Sequence, residues 1–438
     1  MREICIHGHF YQPTRVNPWT NRIEPQPSAA PFLDWNERIT AECYAPNAAA
    51  RLLDEQGRTR GTRNTYGYIN FDFGPTLLTW LEKNHPVVLE QLRKADRDSQ
   101  SRFGKGSAIA QPYHHPILPL CDDHDRKTEI RWGLSVFERC FGRKSDGIWL
   151  AETAVDTPTL ECLADEGIDF VLLAPSQIDA IQDTDGNWHS TSEHSAANQA
   201  FKIELPSGRS ISAVVYDAAV SRGVAFEGLL HSGERFANRL ADASQETGFV
   251  LIATDGESYG HHHTHGEMAL AYAQEQLDAR SDCTLTNVAS WLSRNPATQV
   301  ARIVENSSWS CAHGIGRWAN DCGCKIDHSR DWHQAWRPAL RAALETLRDD
   351  AREALKPLGD KLFADQTEAR NAFIEVLDSP NKFGAWYARY AGPEANEDAA
   401  YQWLSTQQKL MAMFTSCAWF FDDVTGLEPI QNIRLAAA

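Results

Sequence analysis

Short apolar, β-branched runs recur through the first 300 positions, and helix-period stretches lie between several of them. The runs Glu3–His7, Tyr66–Phe71, Ser107–Gln111, Gly147–Leu150, Phe170–Leu173, Ile211–Tyr216, Phe249–Thr254 and Ala301–Glu305 predict strands. Pro75–Ala95 spaces Leu77, Leu78, Leu81, Val88, Leu89 and Leu92 as one helical face, and Arg126–Cys140, Thr157–Glu166 and Glu234–Ser244 repeat the pattern. Strands alternating with helices imply parallel pairing, and seven or eight such strands imply an α/β fold with a closed or nearly closed (β/α) barrel. The polar stretch Gln182–Gln199 interrupts the alternation and reads as a surface insertion without chemistry of its own, a hairpin partner for Lys202–Leu205. Past about residue 328 the strand pattern stops. Trp332–Leu355, Asp360–Asp378, Phe383–Tyr390 and Glu397–Phe421 carry apolar residues three and four apart among Ala, Leu, Glu, Arg and Gln, which predicts a helical unit packed on the barrel. The closing stretch Ile430–Ala438 reads as an uncapped helix that stops abruptly, as an edited or truncated terminus would.

Composition narrows the field. The chain has 438 residues, with 42 Lys and Arg against 59 Asp and Glu, a formal charge of −17. That length predicts two units, a catalytic-size barrel over residues 1–300 and a Cys/His/Trp-rich loop with a helical domain over residues 301–438. The acidic balance argues against nucleic acid or an anionic membrane as partner, because both need neutralising Lys and Arg. The first residues, Met1 to His7, place an acid and a histidine where a signal peptide needs an apolar core, and no run of 18 apolar residues occurs, so a cytoplasmic location is expected. Without a secretion signal the 10 cysteines are expected to be mostly reduced and buried. The 14 Trp suit stacking on sugar rings, although for any one of them a core position is the commoner use.

In such barrels the reactive groups sit just past the C-terminal ends of the strands. Four strand ends stand out: His7-Gly8-His9-Phe10-Tyr11-Gln12-Pro13, Gln111-Pro112-Tyr113-His114-His115-Pro116, Trp149-Leu150-Ala151-Glu152, and Asp255-Gly256-Glu257-Ser258-Tyr259-Gly260-His261-His262-His263. Glycosidic cleavage needs two carboxylates delivered from different elements, and Glu152 and Asp255 are the pair in position. Taken alone, Glu152 could equally cap the next helix and Asp255 could pair with a histidine.

The four motifs, with Gly106-Ser107-Ala108-Ile109-Ala110 leading into His115-Pro116-Ile117-Leu118-Pro119-Leu120 as the second, resemble in order and spacing the first four motifs of glycoside hydrolase family 57. The resemblance covers roughly residues 1–300. The remainder, including Ser308-Trp309-Ser310-Cys311-Ala312-His313-Gly314 and Cys417-Ala418-Trp419-Phe420-Phe421-Asp422-Asp423, is similar to an uncharacterised domain (domain of unknown function 3536) fused to a subgroup of that family. The resemblance implies an incomplete (β/α)7 barrel with a C-terminal α-helical unit, α-glucans or related α-linked oligo- or polysaccharides as substrate, and no required cofactor. It implies an enzyme of α-amylase, 4-α-glucanotransferase or branching-enzyme type with a retaining mechanism. Glu152 would be the nucleophile and Asp255 the general acid/base. His7, His9 and His115 would bind sugar hydroxyls, Trp149 would wall the subsite, and Glu257 would hold a hydroxyl or tune Asp255. Two departures touch substrate contacts: Phe10 and Tyr11 separate His9 from Gln12, and Ala108, Ala110 and Gln111 stand where the second motif usually holds a Glu.

Cys311, His313, Cys322 and Cys324 admit three readings: a closed structural zinc site, loop packing with His313, Trp318 or Asp321 lining the cleft, or a redox disulfide. The run His261-His262-His263-Thr264-His265, joined to His7 and His9, would instead suit a metal-dependent carbohydrate deacetylase. A glycan-binding protein without turnover is the remaining alternative.

Overall fold

The computed structural model describes residues 1–191, 196–245, 247–377 and 379–438. Seven parallel strands form the barrel: β1 (Arg2–Phe10), β2 (Asn70–Phe73), β3 (Ala108–Ile109), β4 (Gly147–Ile148), β5 (Phe170–Leu173), β6 (Ser210–Val215) and β7 (Phe249–Asp255). One ladder runs β7-β1-β2-β3 and a second runs β4-β5-β6. The parallel bridge Ala110↔Ile148 joins them, with the Trp149 N–H donating to Ala110 O at 2.8 Å. Crossover helices include Pro86–Phe103, Asp123–Phe141, Thr157–Asp165 and Gly233–Ala243.

Between β6 and β7 a seam replaces the ladder. The Leu251 N–H donates to Asn198 Oδ1 at 3.0 Å, the Ala253 N–H donates to Ser221 Oγ at 3.1 Å, and the Asp217 N–H reaches Leu251 O at 2.6 Å. Side chains therefore satisfy β7 backbone donors that an eighth strand would otherwise take. The result is the incomplete seven-stranded barrel with a C-terminal helical region.

Period-two alternation sorts the strands into faces. On β1 Ile4 and Ile6 pack outward on the helices, while Cys5 joins Leu251 and Ala253 of β7 in the barrel interior. His7 and His9 continue the inward set. Register places His7 beside Asn70 and Ala253, and His9 beside Asp72 and Asp255, so two polar layers stand on an apolar floor.

Several elements differ from the sequence expectation. Tyr66–Phe71 is not a strand: Asn64 caps a 3-10 turn at Thr65–Tyr68, and the strand begins at Asn70. The eighth predicted strand, found at Val300–Ile303, joins a side sheet between Ile178–Gln182 and Gln199–Glu204 rather than the barrel. The hairpin expected between Gln182–Gln199 and Lys202–Leu205 is absent among the described residues, and residues 192–195 of that stretch lie outside them. Ile178–Gln182 pairs with Trp188–Ser190, and Gln199–Glu204 pairs with β6. In the C-terminal unit one helix, Trp336–Leu362, runs through exposed Pro357, whose missing N–H leaves only a solvent-facing carbonyl unpaired. Glu397–Ala412 and Cys417–Phe420 are separate helices, and Leu427–Ala437 is the last. No helix among the described residues is long and apolar enough to cross a membrane.

The seam makes a prediction. Asn198→Ala removes the acceptor for a buried β7 N–H, so a loss of about 1–3 kcal/mol is expected. Urea unfolding of the full chain measures it, and an unchanged midpoint would mean that the seam does not depend on this side chain.

Candidate active site

Asp72 is fully buried in the upper polar layer, and the site is organised around it. Its Oδ2 accepts from His9 Nδ1 at 2.8 Å and from Gln111 Nε2. His7 Nε2 lies 2.8 Å from Oδ1, at charge-attraction distance but off the hydrogen-bond line, and Asn70 Nδ2 donates to His7 Nδ1 at 2.7 Å. Burial lowers the His7 imidazole and brings His9 down to about 4, while it lifts Asp72 to about 6. Both imidazoles are neutral near pH 7.

A proton-ordered chain follows from the partners. If His9 Nδ1 carries the hydrogen directed at Asp72, then His9 Nε2 is an acceptor, and His115 Nε2, 3.3 Å away, is its donor. His115 Nδ1 then accepts from the Ser416 hydroxyl at 2.7 Å. His115 has φ of 57°, held by the Ser416 N–H donating to His115 O at 3.2 Å, so the C-terminal unit fixes one edge of the site. The rings form a layered stack: Tyr11 lies on His115 at 3.9 Å, and Trp149 lies 4.8 Å from His7 and 4.9 Å from His9. Trp149 is fully buried and backs the histidines from behind, while half-buried Trp309 meets it edge-on at 5.0 Å.

Glu152 leaves β4 in a sharp turn, with φ of 57° at Glu152 and 50° at Thr153. A β-branched residue in that region is strained, and Gln177 holds it by accepting from Thr153 Oγ1 and donating to Thr153 O, both at 2.8 Å. The Glu152 carboxylate receives two hydrogen bonds on Oε2, from Trp309 Nε1 at 3.0 Å and Ser310 Oγ at 2.6 Å. Burial raises its carboxyl above the usual range, the Ser310 hydrogen bond opposes, and Asp255 adds to the rise. Asp255 is open to the cleft and accepts no hydrogen bond among the described residues. The protein mass around it still raises its carboxyl, with His9 opposing and Asp72 adding. The two acids thus lie within charge range of one another, one held by two donors and one exposed.

Glu257 is buried behind this pair, where Oε1 accepts from Tyr44 OH at 2.6 Å and the Tyr11 N–H at 3.3 Å. Burial lifts it to about 8, so it carries a proton at neutral pH. Gln12 Oε1 accepts from Arg15 at 2.6 Å. His313 is drawn instead to the cysteines, with Nδ1 3.5 Å from Cys324 Sγ. Trp318 is a fully buried core side chain, and Asp321 is exposed and accepts the Gln334 N–H at 3.2 Å. His261 pairs with Glu42 and His263 with Ala225 O, and His262, His263 and His265 line a separate depression with His231 and Tyr272. The histidine run does not join His7 and His9.

Asn70, Asp72, Gln111, Trp309, Ser310 and Ser416 had no site role in the sequence. A signal was present for Asp72: Asn70-Phe71-Asp72-Phe73 alternates polar and aromatic, and polar side chains facing a barrel axis need a partner.

The family model for glycosyl hydrolase family 57 matches residues 17–304, and that for a domain of unknown function, DUF3536, matches residues 332–438. Alpha-amylase 1 of Dictyoglomus thermophilum is 33% identical over 105 residues, 24% of this chain and 15% of its own length. A 4-alpha-glucanotransferase of Thermococcus litoralis is 28% identical over 105 residues, again 24% and 15%. The matched region is thus about a seventh of the curated relatives. Among solved structures, the exo-type maltose-forming amylase of Pyrococcus sp. ST04 superposes with a TM-score of 0.74 at 16% identity, covering 99% of this chain and 78% of that one. The GH57-type branching enzyme of Pyrococcus horikoshii gives 0.61 at 14% identity, covering 99% and 88%.

Glu257 generates a stability prediction. Raised from 4.5 to about 8, it holds a proton that the unfolded chain releases, so its contribution is complete below about pH 4.5 and is lost as pH rises through about 8. Glu257→Gln, which keeps an acceptor for Tyr44, should flatten the fall in denaturation midpoint between about pH 5 and about pH 9. An equally steep fall in the variant would remove Glu257 as its source.

Proposed function

Because the chain belongs to glycosyl hydrolase family 57, we propose that it cleaves or transfers α-linked glucosyl units of an oligo- or polysaccharide through a covalent intermediate on Glu152. The observation that carries this reading is the arrangement of the two acids. Glu152 is fixed by two donors on one oxygen, and Asp255 stands unpartnered in the same cleft on the His9 layer.

In the first step the free Glu152 oxygen attacks the anomeric carbon while the proton on Asp255 passes to the glycosidic oxygen, which leaves with the bonding electron pair. In the second, Asp255 takes a proton from water, or from a sugar hydroxyl in transfer, and that oxygen displaces Glu152 from the opposite face, the one the leaving group vacated. The raised carboxyl of Asp255 suits it to donate first and accept second. The Trp309 and Ser310 hydrogen bonds favour the ionised form of Glu152, which the attack requires. Neutral His9 and His115 bring no charge to the site, matching a neutral saccharide, and half-buried Trp309 offers a face for ring stacking. Trp149, His7 and Glu257 act through the residues they back. The deacetylase reading needs ligands from the 261–265 run to converge with His7 and His9, whereas His261 and His263 have partners elsewhere and His262 and His265 line a separate depression.

Incubation with a panel of α-linked oligosaccharides, with and without an acceptor sugar, should release or transfer product of retained anomeric configuration. Glu152→Gln and Asp255→Asn should each lower turnover by roughly 1,000-fold with the fold intact by circular dichroism. Product of inverted configuration, full activity in either variant, or tight binding without any product would overturn the reading. Activity requires ionised Glu152 with protonated Asp255, so both limbs of the pH profile should lie above ordinary carboxylate values. Ser310→Ala should lower turnover roughly 10- to 100-fold and move the acid limb upward, because a hydrogen bond to the ionised form is lost. An acid limb that stays in place would show that Ser310 does not stabilise the nucleophile's charge.

A further inference from the structure

Between Ile303 and Trp336 the chain has a single 3-10 turn, Gly316–Trp318, yet this segment carries the two donors that hold Glu152. A loop of that length without regular structure needs another source of order. Immediately after Ser310 the side chains of Cys311, His313, Cys322 and Cys324 converge, with their ligand atoms all within 4.8 Å of one another. Cys311 Sγ lies 3.9 Å from Cys322 Sγ and 3.7 Å from Cys324 Sγ, and Cys324 Sγ lies 3.5 Å from His313 Nδ1.

Those separations have a specific meaning. A tetrahedral zinc ion with sulfur at about 2.3 Å and nitrogen at about 2.05 Å places sulfur pairs about 3.8 Å apart and sulfur–nitrogen pairs about 3.5–3.6 Å apart. Three of the six edges already match, and the widest pair needs to close by about 1 Å. The surroundings leave room for a metal ion and place a cation beside the sulfurs. Arg337 lies within charge range of Cys322 and Cys324, and its Nη1 donates to Cys324 O at 2.7 Å. Gly323, with φ of 77°, turns the chain between the two cysteines. At Gly316 a Cβ would stand 3.2 Å from His313 Cβ and 3.4 Å from Cys322 Cβ, so the glycine leaves the ligands room.

We propose that Cys311, His313, Cys322 and Cys324 bind one zinc ion, which fixes the 309–310 segment and thereby positions Glu152. Binding takes up the metal with release of the thiol protons and involves no change of oxidation state. The metal is structural: the four protein ligands close its coordination and leave no position for substrate. Only the effect on turnover rests on the glycosidase reading.

The full chain, purified without chelator under reducing conditions from zinc-supplemented cells, should contain one zinc per chain by elemental analysis. Exchange into cobalt(II) should give the strong visible absorption of a tetrahedral thiolate site. Cys322→Ser should lose both signals, and Cys162→Ser, at a cysteine outside the cluster, should keep them. Metal-free protein that stays metal-free on zinc reconstitution, a Cys322→Ser variant that retains the cobalt spectrum, or a disulfide among the three cysteines found by mass spectrometry would overturn the proposal. In the zinc-free form kcat should fall roughly 10- to 100-fold with a smaller change in KM, as expected for a displaced nucleophile. Unchanged kcat with zinc removed would leave the metal site and overturn its positioning role. Should no saccharide be turned over at all, zinc content and the cobalt spectrum still decide the metal.

Discussion

Glu152 adopts a left-handed backbone conformation that costs a non-glycine residue about 1–3 kcal/mol, and Thr153 beside it does the same. Such a turn persists only where its surroundings over-determine it. Gln177 grips Thr153 from the side sheet, the Trp309 N–H donates to Glu152 O at 3.1 Å, and Trp309 and Ser310 hold the carboxylate. The barrel strand β4 supplies the residue, but the side sheet and the loop beyond it supply the constraint. With the backbone turned this way, a buried carboxylate faces the cleft instead of capping the helix that follows, and Asp156 takes the capping position by accepting the Thr159 N–H at 2.9 Å.

The second constraint is electrostatic. Five ionisable groups, Asp72, Glu152, Asp255, His7 and His9, share one end of a barrel with an apolar floor, and full ionisation of the three acids would carry a large desolvation cost. The structure separates them by kind of partner. Asp72 is surrounded by neutral donors, Glu152 has two donors on one oxygen, and Asp255 has solvent. Three carboxyls at one end of the barrel therefore meet three different kinds of partner, and burial raises all three.

Most of the barrel strands, the helical C-terminal unit and the strand-end motifs were legible because each depends on local pattern: short apolar runs in β1 and β7, period three to four in the helices. What was not legible depends on partners distant in sequence. Tyr66–Phe71 has strand-like composition, but the cap at Asn64 makes a turn of its first part and moves the strand to Asn70. Trp318 read as a cleft residue, and its composition gives no hint that the C-terminal helices would enclose it. The stretch containing Asn198 read as an insertion without chemistry, yet its side chain closes the seam beside β7. A sequence reports which side chains want a partner and does not report which partner arrives.

That limit bears on where the site begins and ends. All four motifs lie before residue 300, but a barrel cut at residue 304 would retain every strand-end acid and imidazole while losing both donors to Glu152 and the hydroxyl that orders His115. Glu152 would then keep the burial that raises its carboxyl and lose the hydrogen bonds that oppose the rise. Its ionised form would then be the form disfavoured. The barrel supplies the acids, and the 309–310 segment supplies the hydrogen bonds that oppose the effect of burial on Glu152. Arg317 and Arg337 join that loop to the helical unit, donating to Phe420 O at 2.9 Å and to Cys324 O at 2.7 Å. The loop and the helices therefore shape the site as the strands do: remove their hydrogen bonds and Glu152 loses both side-chain donors that distinguish its surroundings from those of Asp255.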